Sequence, residues 1–212
     1  MKYIHNKYAA LSFALFSIIF ISSCSKELNK NPLSALSSET FWTSEQNTLL
    51  ALTAVYRGDI NMTLDANADP TGWWSYPGLT FLDFATDNAY DRRGDNSIYN
   101  KLTNGTLTAT VASLGNYWKN SYDVIARANY FLENVDKVSM NADKIKRMKA
   151  EVRFIRACNY FYLSQYFQDV PLVTKTLSLQ EANTVKKASK AQVVQFVIDE
   201  LTASSAVVPQ NA

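Results

Sequence analysis

The feature that most constrains the fold of this chain is a pair of long helical stripes between residues 114 and 167. In the first stripe, apolar or small side chains recur every three or four residues, at Leu114, Trp118, Ser121, Ile125, Ala128, Leu132 and Val135. This spacing puts them on one side of an α-helix. A second stripe predicts a longer helix from about Asp143 to Phe167, which ends before Pro171 because proline cannot continue the hydrogen-bond ladder. The pattern therefore indicates a chain built from packed helices.

Other short patterns extend the helical prediction to both sides. The longer helix also carries small residues that let a neighbouring helix approach closely, at Ala150, Ala157 and Ser164. Capping boxes predict two further helices, one that begins at residues 43–46 and ends near Gly58, and one that begins at 189–192 and ends at 208–209. The only candidate strand, residues 79–84, is weak. We therefore predict an all-α fold of antiparallel helix pairs with a long, loop-rich insertion over residues 59–112.

The N-terminus predicts export and lipid attachment. A basic start is followed by an apolar run at residues 8–20 and then by Ser22, Ser23 and Cys24, which is the layout of a bacterial lipoprotein signal. Cleavage would leave Cys24 as the lipid-bearing first residue. An uncleaved membrane helix is the alternative, but about 15 apolar residues fall short of the roughly 20 that span the hydrocarbon core. The predicted segments are a signal peptide at 1–23, a lipidated tether at 24–40 and a helical domain at 41–212.

The charge and histidine content of the mature chain exclude several classes of function. Removal of Lys2 and Lys7 lowers the 21 basic residues to 19, which equals the 19 acidic ones. A chain without net charge lacks the electrostatic footprint of a nucleic-acid-binding protein. The only histidine, His5, lies in the signal, so His-based triads and most zinc or iron sites are excluded. We therefore expect no metal, no cofactor and, with Cys24 lipidated, no internal disulfide.

A series of motifs follows the predicted helices in a definite order. They are Asn31-Pro32, Phe41-Trp42-Thr43, Ala54-Val55-Tyr56, Tyr117-Trp118, Arg127-Ala128-Asn129, the run 150–157, the run 160–163, and the run 169–173. In this order they resemble the N-terminal part of the SusD/RagB family of outer-membrane nutrient-binding lipoproteins of Bacteroidetes. The family usually has glycine where Gln168 stands, so we expect a turn made without positive φ. Family members are much longer, and the helical domain is therefore predicted to be incomplete.

The resemblance implies a tetratricopeptide-like helical scaffold and a function in binding, without catalysis. It implies a lipoprotein that captures glycan or another nutrient and delivers it to a SusC-type TonB-dependent transporter. Ser25-Lys26-Glu27 resembles the short signal that sends such lipoproteins to the cell surface. The expected location is the outer membrane, with the lipid as anchor and the protein exposed at the surface.

The ligand candidates lie in the loop-rich insertion, where rigid aromatic residues occur beside hydrogen-bonding side chains. They are Trp73, Trp74, Tyr76, Asn88 and Arg92, with Arg93 nearby. Sugar rings stack their C–H faces on aromatic rings, while their hydroxyls need amide or guanidinium partners. The alternative for Trp73 or Trp74 is that the indole packs the loop onto the helices.

Glu151, Arg153 and Arg156 lie within about one and a half turns of the longest helix. We predict that they form a structural charge network that locks helices together, with Arg127 and Asp169 as outside partners. A ligand site is the alternative interpretation of these charges.

Two other functions remain open at the level of the sequence. One is a helical-repeat adaptor lipoprotein that binds a peptide or protein in a concave groove. The other is a glycoside hydrolase that would use two of the loop acids Asp83, Asp87, Asp91 and Asp95. We disfavour the hydrolase because no reactive group in the sequence is flanked by an orienting partner.

Overall fold

The computed structural model describes residues 41–57, 83–84, 86–110 and 112–207 of the 212-residue chain. The α-helices in these ranges are α1 (Glu45–Tyr56), α2 (Ile98–Thr103), α3 (Ala112–Asn134), α4 (Ala142–Phe167), α5 (Leu179–Ala182) and α6 (Lys190–Ser205). Two short strands, β1 (Val170–Pro171) and β2 (Lys187–Ala188), pair antiparallel. None of the helices in the described ranges is long and apolar enough to cross a membrane. The predicted all-α fold class is confirmed, with one small strand pair added.

The helices pack around α4, which contacts α6, α3 and α1. The stripe of small residues is buried, since Ala150, Ala157 and Ser164 expose almost no surface. Ala157 belongs to a core cluster that joins α3, α4 and α6, with Ile125, Tyr160, Leu163, Val170, Val193 and Val197 as the other buried members. The close approach of a second helix to the longest one is therefore confirmed.

Side-chain caps fix where the helices begin. The predicted capping box of α6 is present, with Ser189 and Gln192 each bonding the other's backbone amide. The box predicted at Thr43 is wrong by one residue, because the N-cap of α1 is Ser44, whose Oγ accepts from the backbone amide of Asn47 at 3.2 Å. A hydroxyl at either position would match the sequence pattern, and Ser44 has the extended backbone of an N-cap, with φ −142° and ψ 154°.

The turn after α4 contains a residue with positive φ, which the sequence did not predict because no glycine is present there. Gln168 has φ 61° and ψ −103°, so the turn is made with positive φ despite the side chain, and the expectation of a turn without it is wrong. The following residue, Asp169, accepts a hydrogen bond from the backbone amide of Lys190 at 2.8 Å. The tight turn thus delivers a carboxylate to the first residue of α6, where the helix dipole favours negative charge.

Candidate functional site

The loop of residues 86–97 is held in place by α2. Asn100 of α2 donates from Nδ2 to the carbonyl oxygens of Asp91 at 2.7 Å and Gly94 at 2.9 Å. Its Oδ1 accepts from the backbone amide of Asp91 at 3.1 Å. Ser97 caps the same helix by accepting from the amide of Tyr99 at 3.2 Å. One buried amide side chain therefore fixes the backbone of the loop at two points.

An ion pair between Asp91 and Arg93 also stabilises the loop. Asp91 is only 6% exposed, and its Oδ2 lies 2.7 Å from Nε and 2.6 Å from an Nη of Arg93. The hydrogen bond from Arg93 holds the pKa of the Asp91 carboxyl at about 2, well below its usual range. Asp91 is therefore an anion at neutral pH and serves the loop's structure, which removes it as a proton donor for glycoside hydrolysis.

The same loop exposes polar and aromatic side chains to solvent. Tyr90 is 70% exposed, and Asn88 and Arg92 are also exposed. Arg92 forms no ion pair with any residue that the structure describes, in contrast to Arg93 beside it. The structure thus brings the predicted residues Asn88 and Arg92 into one ordered loop. It adds Tyr90, which the predicted set omits because a single tyrosine between Ala89 and Asp91 has no periodicity to indicate its exposure.

The remaining residues of the predicted ligand set lie outside the described ranges. These are Trp73, Trp74 and Tyr76, and the lipid-attachment residue Cys24 also lies outside them. Their predicted roles stay predictions.

Arg156 lies at the centre of a buried polar network, and its carboxylate partner lies outside the predicted set. The guanidinium binds Oε2 of Glu200 on α6 through Nη2 at 2.6 Å and Nε at 3.1 Å. It also donates to Oδ1 of Asn129 on α3 at 2.6 Å and lies 5.3 Å from the centre of the Phe196 ring. Three helices therefore meet at one arginine, as a helix-locking role requires.

The other two members of the predicted charge network form no hydrogen bond with Arg156, and the buried Nε of Arg153 has no hydrogen-bond partner among the described residues. Glu151 accepts from Nε of Arg147 at 2.9 Å and from the hydroxyl of Tyr56 at 3.1 Å. Burial of the phenol and the nearby Glu151 carboxylate raise the pKa of Tyr56 to about 12. Glu151 and Arg156 therefore contact different partners, since five residues of helix rotate Glu151 about 140° away from Arg156. The predicted partner Asp169 instead caps α6.

A second concave surface lies between α3 and residues 171–185. It encloses about 380 Å³, and its walls are mainly apolar, formed by Trp118, Tyr122, Ile125, Pro171, Val173 and Leu177. The hydroxyl of Tyr122 is already used, since it donates to the carbonyl oxygen of Pro171 at 2.7 Å. This groove therefore offers apolar contact and few hydrogen bonds. In the described part of the chain, no group of His, Cys, Asp and Glu side chains is arranged to hold a metal ion.

Comparison with known proteins gives one consistent result. A SusD-like family model, described as "Starch-binding associating with outer membrane", matches residues 75–212. A SusD-like protein of Formosa agariphila is 28% identical over 198 residues, which make up 88% of this chain and 35% of that protein.

Two solved structures are similar in both fold and sequence. The crystal structure of a SusD-like carbohydrate-binding protein from Bacteroides fragilis is 43% identical, with a TM-score of 0.73, over 81% of this chain and 33% of that one. A laminarin-binding SusD-like protein is 26% identical, with a TM-score of 0.60, over 79% of this chain and 35% of that one. The chain thus spans about a third of the length of these relatives.

Proposed function

Because this chain belongs to the SusD-like family, we propose that it binds glycan through the loop of residues 86–97, with Tyr90, Asn88 and Arg92 as the contacting residues. The observation that carries this proposal is an exposed aromatic ring and an unpaired guanidinium on a loop that Asp91 and Asn100 hold rigid. Similar proteins include a carbohydrate-binding and a laminarin-binding protein, which supports glycan as the ligand class.

The chemistry of the loop suits a sugar. The Tyr90 ring provides a flat apolar face for the C–H groups of a pyranose, and Arg92 and Asn88 provide donors for its hydroxyls. Because the loop is ordered before the ligand arrives, binding loses little conformational entropy. Trp73, Trp74 and Tyr76 are proposed as further glycan-contacting residues.

The setting of this binding is part of the proposal. A lipid on Cys24 would hold the protein at the outer membrane with residues 24–40 as a tether, and the captured glycan would pass to a SusC-type TonB-dependent transporter. The family description, which includes association with the outer membrane, supports this location. The function proposed is binding without catalysis.

Isothermal titration calorimetry against a panel of oligosaccharides tests the binding role. We expect Tyr90→Ala and Arg92→Ala each to weaken binding about tenfold, since one stacked ring or one charged hydrogen bond contributes about 1.4 kcal/mol. Phe161→Ala and Lys146→Ala are the controls, because they remove an exposed ring and an exposed cation from α4 and should leave the affinity unchanged. Equal losses in the controls, or release of reducing sugar from any glycan, would contradict the proposal.

The second candidate function is the peptide-binding adaptor, and the apolar groove between α3 and residues 171–185 is the observation that favours it. Titration of the same protein with apolar peptides separates the two candidates. If titration with peptides releases heat and titration with oligosaccharides does not, peptide binding in the groove is the better explanation and glycan binding is overturned.

A further inference from the structure

Charge is distributed unevenly between residues 58–97 and the residues that follow them. Residues 58–97 contain seven aspartates and two arginines, a formal net charge of −5. Residues 98–212 contain 14 lysines and arginines against nine aspartates and glutamates, a formal net charge of +5. Residues 24–212 have no formal net charge because a region of negative charge and a region of positive charge cancel. The proposed glycan surface lies in the negatively charged region.

The described part of the insertion shows which of these charges face solvent. Asp91 and Arg93 neutralise each other within the loop. Asp83, Asp87 and Asp95 are exposed, and none of them forms an ion pair with a residue that the structure describes. Arg92 is the one exposed cation among residues 86–97 of the described loop. Three exposed carboxylates thus lie within nine residues of one exposed guanidinium along the chain.

We propose that the loop surface selects uncharged glycans and disfavours sulfated or uronic ones. This selectivity rests on the proposed binding of glycan by the loop. The aspartates act through the field they create and are not themselves the binding groups. A carboxylate or sulfate on a ligand bound at Tyr90 and Arg92 would be repelled by Asp87 and Asp95, which are within five residues of both. Salt screens this repulsion, with a Debye length of about 8 Å at physiological ionic strength. The hydroxyls of a neutral sugar carry no such penalty and can accept hydrogen bonds from Arg92 and Asn88.

Arg92 alone would favour the opposite selectivity, since a guanidinium binds a carboxylate through two parallel hydrogen bonds. One cation among three anions leaves a local excess of two negative charges, so repulsion outweighs this attraction for a ligand with many charges. Arg92 therefore donates hydrogen bonds to the hydroxyls of a neutral sugar.

The test compares one glycan in two charge states. The neutral oligosaccharide that binds best is measured beside the same oligosaccharide oxidised at C6 to the uronate, with calorimetry at low and high salt. We expect the uronate to bind about tenfold more weakly at low salt, and the gap to shrink near 1 M salt, where the Debye length is about 3 Å. The double variant Asp87→Asn, Asp95→Asn should narrow the gap at low salt.

Asp199→Asn on α6 is the matched control, because it makes the same chemical change outside the loop and should leave the gap unchanged. Equal or tighter binding of the uronate by the unmodified protein overturns the charge selectivity and leaves glycan binding intact. Absence of heat from every neutral and charged glycan overturns the proposed function itself, so the two failures are distinguishable.

Discussion

At the scale of single residues, Asp91 gives the loop a defined dependence on pH. Its pKa is about 2 in the folded protein, against a usual value of 3.8, because Arg93 stabilises the charged form. A lowered pKa means that the stabilisation is complete above about pH 4 and is lost as the pH falls towards 2. We expect the difference in unfolding free energy between the unmodified protein and Asp91→Asn to be large at pH 6 and small near pH 2.

Urea unfolding of both proteins at a series of pH values measures this difference. Asp123→Asn is the control, since its exposed pair with Lys119 should contribute little at any pH. A difference for Asp91→Asn that stays constant from pH 6 to pH 2 would show that the charge of the carboxylate does not stabilise the loop.

Gln168 is the second residue with a measurable consequence, because its φ of 61° with ψ of −103° is a conformation that side chains resist. We expect Gln168→Gly to raise the free energy of unfolding by about 1 kcal/mol, as relief of strain exceeds the added entropy of the unfolded chain. Gln165→Gly, within α4, should lower it by about 1 kcal/mol. Thermal unfolding of both variants is the measurement, and a loss of stability for Gln168→Gly would contradict the strain.

At the scale of elements, the Arg156 network joins α3, α4 and α6. Removing one charge of a buried pair leaves the other without compensation, so Glu200→Gln should lower the free energy of unfolding by about 3 kcal/mol. Asp123→Asn again serves as control, with a loss of a few tenths of a kcal/mol from an exposed pair. Denaturant unfolding distinguishes these values, and similar losses would mean that the buried pair is not what locks the helices.

The sequence predicts the helices well because their information is local. The stripe that begins at Leu114 and the capping box at Ser189 each depend on residues within one or two turns. The partner of Arg156 could not be found in this way, since Glu200 is 44 residues away and the sequence offers the nearer Glu151 instead. The strand pair of Val170 and Ala188 was missed because two residues are too few to show alternation.

The loop site was predictable only in part for the same reason. Residue type is enough to nominate Asn88 and Arg92 as ligand candidates, whereas only the structure shows that Arg93 pairs with Asp91. Tyr90 is distinguished by its exposure, and only the three-dimensional structure gives that quantity.

At the scale of the whole molecule, the proposed glycan-binding surface is one ordered loop of a helical scaffold that spans about a third of the length of similar proteins. The apolar groove between α3 and residues 171–185 is the competing surface. The two surfaces involve different stretches of sequence, so a method that reports position along the chain decides between them.

Hydrogen–deuterium exchange with and without the best-binding neutral oligosaccharide is that measurement. We expect slower exchange over residues 86–103 in the presence of the glycan, and the same experiment tests the predicted contacts of Trp73, Trp74 and Tyr76. Slower exchange confined to residues 117–126 and 171–185, with no change over 86–103, would show that the glycan binds in the apolar groove and would contradict binding at the loop.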